Sequence, residues 1–202
     1  MWTRRAIGPE LPCTEAGAAL LAASRKADPC RTWTLGALLA ATPLLGALLP
    51  GCATGSFVDW VYRDAQTAYR VGPLPEAWHR LTLAGGDVAF RHDSGGSVLA
   101  EGLCGSAKDT PLDVLTNQAL FGIEAKQERS RVPITLDGRA ALDTHLVGTL
   151  DGVPIELELV VLKKDGCTYD LQLAAGPDTF AARTGDFHSF VAGFHELSVA
   201  AR

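Results

Sequence analysis

Hydrophobic and polar positions fall into three regimes along the chain. Residues 33–51 are apolar on every side and carry no charge. Further on, 80–83 and 87–91 alternate polar and apolar with period two, as half-buried strands do, and Gly85-Gly86 supplies a turn between them. A third strand is expected over 97–104, after a turn at Ser94-Gly95-Gly96. The period then changes. Thr110 reads as an N-cap, Pro111 as the first helical residue and Asp113 as a first-turn acid. Leu112, Leu115, Ala119, Leu120 and Ile123 recur on one helical face, so a helix over about 111–123 is expected to cover a sheet. A last helix, about 187–195, is expected to be capped by Asp186 and to bury Phe187, Phe190, Val191 and Phe194.

Between the two helices, Asp137-Gly138, Asp151-Gly152 and Asp165-Gly166 recur every 14 residues. Asp-Gly between apolar alternations marks a hairpin, so 131–174 reads as a four-stranded antiparallel meander. A two-residue loop at Asp151-Gly152 pairs Leu150 with Val153. It puts Leu142 and Leu146 with Ile155, Leu157, Leu159 and Val161, and sends Asp143, His145, Glu156 and Glu158 to the other face. The same loop at Asp165-Gly166 would carry Asp170 and Gln172 onto the apolar face. A bulged three-residue loop avoids this, pairing Val161 with Tyr169 and Leu159 with Leu171. A similar bulge at Asp137-Gly138 would put Val132 and Ile134 with Leu142. The fold class expected is α+β: N-terminal strands and the meander, covered by two helices.

Arg25, Lys26 and Arg31 precede the apolar run, and Leu49-Pro50-Gly51-Cys52 closes it. The run is not striped like a core helix, and it has the build of a secretory signal. A membrane-spanning anchor, near the minimum length but broken by Pro43 and Pro50, is the rival reading; a plain cleaved signal is the third. All three place residues after 52 outside the cytoplasm. The last four residues resemble the lipobox of bacterial lipoproteins. That resemblance implies lipidation of Cys52, attachment to a membrane through acyl chains such as palmitate, and, with Ala53 following, an outer-membrane address facing the periplasm in a Gram-negative cell. Residues 1–51 then form a signal peptide, with 1–24 an over-extended start. Residues 52–68 read as a tether whose Phe57, Trp60, Val61 and Tyr62 make an amphipathic turn against the domain.

Charge narrows the choice of partners. Of 18 Lys and Arg, five precede Cys52, as do three of 23 Asp and Glu, leaving a net charge of −7 beyond it. That argues against nucleic acid, which requires a basic face. Outside the leader and Cys52, two cysteines remain. Cys104 and Cys167 are candidates for one disulfide in an oxidising compartment; two buried free thiols are the alternative.

No Gly-rich phosphate loop, GxSxG elbow, HExxH or CxxC occurs, so no catalytic residue, cofactor or metal ligand is assigned. Ser94-Gly95-Gly96-Ser97 reads as a flexible turn. His92-Asp93 could form a base and its orienter, or a solvated turn. His145, Glu156 and Glu158 share the polar sheet face, as exposed cross-strand pairs or a weak cation site. With Asp170 joining them under the bulged register, they make a candidate partner surface, or one covered by the N-terminal segment.

Three stretches carry a second resemblance: Tyr69-Arg70-Val71-Gly72-Pro73-Leu74-Pro75, Leu162-Lys163-Lys164-Asp165-Gly166-Cys167-Thr168-Tyr169-Asp170-Leu171, and 187–194. Together they resemble the PsbP superfamily, which joins the extrinsic photosystem II protein with a Ran-binding protein and bacterial lipoproteins. The resemblance spans most of 69–197 in layout and implies a binding or assembly role without chemistry. The metal sites of the photosynthetic members find no matching positions. The leading expectation is a non-enzymatic, membrane-tethered envelope lipoprotein with a protein partner. A small-ligand carrier or sensor is the alternative, hinted at by Thr144 and Gly148 on the core face, and an unrecognised hydrolase comes last.

Overall fold

The structure, a computed structural model, describes residues 55–82, 88–105 and 109–198. The leader, Cys52 and the Gly85-Gly86 turn lie outside the described residues. In chain order the strands are β1 (Ser56–Val58), β2 (Val61–Arg63), β3 (Ala68–Arg70), β4 (Trp78–Leu81), β5 (Val88–His92), β6 (Ser97–Cys104), β7 (Glu124–Leu136), β8 (Arg139–Leu150), β9 (Val153–Lys164), β10 (Cys167–Ala175) and β11 (His195–Glu196). The helices are α1 (Leu112–Ala119), α2 (Pro177–Phe180) and α3 (Thr184–Ala192). Seven strands form one antiparallel sheet in the order β4-β5-β6-β10-β9-β8-β7, and a smaller sheet runs β1-β2-β3-β11. The α+β expectation holds, with one further short helix, α2, and a second sheet added.

The meander turns on its three Asp-Gly pairs. Asp137, Asp151 and Asp165 have φ of 48°, 51° and 48°, and each following glycine is also positive. Two left-handed residues in succession make the two-residue type I′ turn, which suits the twist of paired strands. At Asp151-Gly152 the expected register is present: Leu150 opposes Val153, Leu146 opposes Leu157 and Leu142 opposes Val161. The two bulged turns are not. Lys164 pairs directly with Cys167 and Val161 with Asp170, while Leu136 pairs with Arg139 and Ile134 with Ala141. The bulge in this region falls instead within β7, around Ala125 and Arg129.

The reason is that this sheet has two buried faces. On one, Val160, Leu162, Tyr169, Leu171 and Leu173 join Phe180, Phe187 and Phe190 in the larger core. On the other, Leu146, Leu157, Leu159 and Val161 pack with Leu120, and Leu112, Leu115 and Ile123 of the α1 region close over them. Burial on both sides removes the rule that one face must stay polar. Val160, expected on the polar face, is buried in the larger core.

Both helix starts differ from expectation. Pro111, not Thr110, occupies the N-cap position of α1, and Leu120 already closes the helix. Arg183 stands at the N-cap of α3, and Asp186 lies inside its first turn. Asp186 instead accepts a 2.9 Å hydrogen bond from Trp78 Nε1, which ties α3 to β4. Phe187, Phe190 and Val191 of α3 are buried as expected, and so is Phe194, though the helix ends at Ala192 rather than at 195 and leaves Phe194 beyond it; each apolar side chain contributes about 2 kcal/mol.

Residues 56–68, expected within a tether over 52–68, carry β1, β2 and the start of β3. The aromatic residues do dock. Trp60 stacks on Phe90 with centroids 5.4 Å apart, and Tyr62 and Tyr69 enter the larger core. Beyond β3, Gly72 N donates to the Phe190 carbonyl at 2.9 Å. A Cβ on Gly193 would fall 2.3 Å from Gly72 Cα, so backbone meets backbone here and side chains are excluded from both positions.

Candidate functional site

His145, Glu156 and Glu158, expected together on one sheet face, do come together there, in a seam that is only partly buried. β8 and β9 set His145 opposite Glu158, on the face that α2 and α3 cover. His145 Nε2 lies 2.7 Å from Glu156 Oε1, and its ring stacks parallel on Phe180 with centroids 5.0 Å apart. Glu158, only 7 % exposed, meets His188 of α3 at 2.8 Å. Asp143 lies on the same face. Its carboxyl is pushed upward by burial and then by the Glu158 charge, with His188 and His145 pulling the other way. The seam therefore joins sheet to helices through the His188–Glu158 pair and the His145–Phe180 stack, while His145–Glu156 ties β8 to β9. Among the described residues, no group of three or more His, Cys, Asp or Glu is arranged to hold a metal ion.

Asp170 does not join this seam. The two-residue turn at Asp165-Gly166 sends it to the α1 face, between Val161 of β9 and Glu101 of β6. There it borders a cleft of about 410 Å³ between α1 and the β6–β10 pair. Its polar walls are Glu101, Asp170, Thr168, Thr110 and Gln118, and its apolar walls Leu103, Leu115 and Ala119. Burial, and then the charge of Glu101, push the Asp170 carboxyl up to about 7. Asp170 Oδ1 and Thr168 Oγ1 are both shut away from solvent without a hydrogen-bond partner. The alternation of Thr168, Asp170 and Gln172 along β10 was visible in the sequence, and the true turn length would have placed Asp170 under α1. Of Thr144 and Gly148, read as hints of a cavity, Gly148 has a packing role. A Cβ on Gly148 would sit 2.7 Å from Ile123, so the small residue lets the segment after α1 approach closely.

A second cleft, about 320 Å³, borders Arg139, Lys163, Lys164 and Asp165. Its cations are engaged: Lys164 with Asp137 at 2.6 Å, Arg139 with Asp165 at 3.4 Å, and Lys163 with the Thr110 carbonyl at 2.7 Å. Cys104 and Cys167 oppose each other across β6 and β10, with their Sγ atoms 2.01 Å apart. The remaining His contacts also link elements. His79 meets Asp93 at 2.8 Å, His92 Nδ1 accepts from Ser94 N, and His195 bonds to Asp137. His92 and Asp93 thus do not act on each other, and His145 is held by Glu156 rather than by a serine. Among the described residues, no helix is long and apolar enough to cross a membrane.

No family model matches the chain, and no curated protein is similar to it. Solved structures with a related chain path include a Pseudomonas aeruginosa protein of unknown function, 13 % identical over 74 % of this chain and 97 % of that one, with a TM-score of 0.44. Another is LpqN of Mycobacterium tuberculosis, involved in cell envelope biogenesis, at 15 % identity over 65 % and 86 %, TM-score 0.45. A third is the cyanobacterial PsbP of Synechocystis, at 15 % identity over 79 % and 99 %, TM-score 0.46.

Proposed function

We propose that this chain is an exported lipoprotein, held at a bacterial membrane by acyl chains on Cys52. Its α+β domain serves a non-enzymatic binding or assembly role toward a protein of the cell envelope. The observation that carries this reading is the uncharged apolar run over 33–51 ending in Leu49-Pro50-Gly51-Cys52, followed at once by a polar chain. More than one acyl chain is needed for lasting attachment, at about 0.8 kcal/mol per buried CH₂. The sequence resemblance to the PsbP superfamily adds the binding role. The histidines support it too, because His79, His145, His188 and His195 each join a carboxylate on another element and so have a structural use. Chemical crosslinking in the native cell, followed by purification at native expression level, tests the proposal. An envelope protein enriched with the wild type and lost with Cys52→Ala is expected. Recovery of the chain alone would count against it.

The cleft under α1 favours a second reading, in which the domain carries or senses a small ligand. Its volume lies within the usual range for small-molecule sites, about 300–1,000 Å³, and it joins apolar walls to a few convergent polar groups. Mass spectrometry of the protein released from membranes under native conditions is expected to find a retained small molecule. Wholly unliganded protein, together with no thermal shift across a metabolite panel, would sink it.

A further inference from the structure

The outer face of the small sheet is laid out by its register. Ser56 opposes Arg63, Val58 opposes Val61, Val61 opposes Arg70 and Arg70 opposes His195. These residues point away from the core that Phe57, Tyr62 and Tyr69 enter. Arg63 and Arg70 are exposed, and Val58 is 65 % exposed. Arg80 flanks β1, donating to the Phe57 carbonyl at 3.2 Å with its guanidinium 4.5 Å from the centre of that ring. Among the described residues, no carboxylate pairs with Arg63 or Arg70. Asp64, in the β2–β3 turn, is engaged by Tyr62 Oη and by the amides of Gln66 and Thr67; Asp59, in the β1–β2 turn, is exposed. The three arginines outnumber these two acids. The second observation is the place of β1 in the chain. Three residues separate Cys52 from Ser56. A chain spans at most about 3.6 Å per residue, so an anchor on Cys52 holds the start of β1 within about 14 Å.

We propose that the outer face of the small sheet rests on the lipid bilayer, with Arg63, Arg70 and Arg80 against headgroup phosphates and Val58 dipping toward the acyl chains. The inference rests on the acylation of Cys52 proposed above, and adds which face of the domain the anchor turns to the membrane. A guanidinium matches phosphate geometry with paired N–H donors, and cations close to an anionic headgroup surface are attracted to it. The short tether keeps the arginines near the phosphates, so contacts that are weak in isolation suffice. The net charge of −7 beyond Cys52 does not undo this. Stacked sheets lie about 10 Å apart, and charges are screened over about 8 Å in physiological salt. Acids on the far side of the seven-stranded sheet therefore act weakly on the bilayer. An acidic protein would also suit three arginines, but such a partner gives no reason for the face to border the anchor.

An environment-sensitive fluorescent dye tests this in the full acylated protein, purified from host membranes and reconstituted into vesicles of phosphatidylethanolamine and phosphatidylglycerol. One variant, Val58→Cys, carries the dye on the outer face of the small sheet. Another, Leu150→Cys, carries it on the α1 side of the large sheet. With Cys104 and Cys167 bridged and Cys52 acylated, the introduced cysteine is the free thiol that takes the dye. The dye on Val58→Cys is expected to brighten and shift to shorter wavelength in vesicles, and that on Leu150→Cys to emit as it does in water. Adding Arg63→Glu and Arg70→Glu should abolish the shift while the protein still floats with the vesicles. A shift that survives both reversals would overturn the headgroup assignment. Equal emission from the two positions, in protein whose N-terminal mass shows an acylated Cys52, would overturn the proposal and keep the lipoprotein reading. So would a shift seen in native membranes but absent from vesicles, which would assign the face to a protein partner. Protein that lacks acyl chains and does not float with vesicles would contradict both.

Discussion

Asp170 shows how one residue's environment follows from one turn. Because Asp165-Gly166 is a two-residue type I′ turn, Lys164 pairs with Cys167, and the alternation of β10 then carries Asp170 to the α1 face. Burial and Glu101 raise its carboxyl from 3.8 to about 7. The folded state therefore keeps a proton that the unfolded chain releases. The stability this provides is greatest below pH 4 and declines as pH rises to 7. Burial also raises Asp143 and Glu196, so the wild-type slope is shared, and a variant is needed to isolate one residue. Asp170→Asn should gain roughly 2–4 kcal/mol relative to wild type between pH 4.5 and pH 7.5. Urea denaturation at the two pH values measures this, and an equal difference at both would contradict it. None of this was legible in the sequence. Keeping Asp170 off the apolar face required a bulge, and that choice assumed one covered face where the fold covers two.

At the scale of elements, the last strand depends on a turn far away in sequence. Asp137, in the β7–β8 turn, accepts bonds from Lys164 Nζ at 2.6 Å and Glu196 N at 2.8 Å, and also meets His195. Burial works against its charge, but the bonds from Lys164, Glu196 and His195 prevail and hold its carboxyl below the usual range. Replacing it strands these donors and puts alanine at a positive φ. Asp137→Ala should cost about 2–4 kcal/mol and speed amide exchange at Glu196, read by hydrogen exchange. Unaltered protection of β11 would contradict this. The Cys104–Cys167 bridge makes a similar link between β6 and β10, closing 63 residues of separation. A loop of that size is worth about 4 kcal/mol, so Cys104→Ser with Cys167→Ser should lower the melting temperature. In the oxidised wild type, mass spectrometry should find two hydrogens fewer than after reduction. The meander, β6 and the Phe face of α3 were legible because Asp-Gly pairs and apolar periods are local signals. The N-terminal hairpin was not, since β1 and β2 are three residues each and gain their stability from Phe90 and Tyr69 elsewhere in the chain.

At the scale of the whole molecule, the larger core stacks the small sheet, α2 and α3 on one face of the seven-stranded sheet, and α1 closes the other. The three stretches that carry the PsbP resemblance meet around that larger core. Gly72 bonds to Phe190, and Tyr69 packs edge-on against Tyr169 with centroids 5.7 Å apart. The His145–Glu156 pair is half-buried because α2 places Phe180 on it, a contact between residues 35 positions apart that no local pattern announces. The proposed route to the membrane rests on the sequence alone, in the apolar run that ends at Cys52. Mass spectrometry of the mature N-terminus, taken from the membrane fraction of a bacterial host, tests the central claim most directly. The account predicts a chain beginning at Cys52 and carrying a thioether-linked diacylglycerol. A chain that keeps residues before 52, or begins there with an unmodified cysteine, would contradict it.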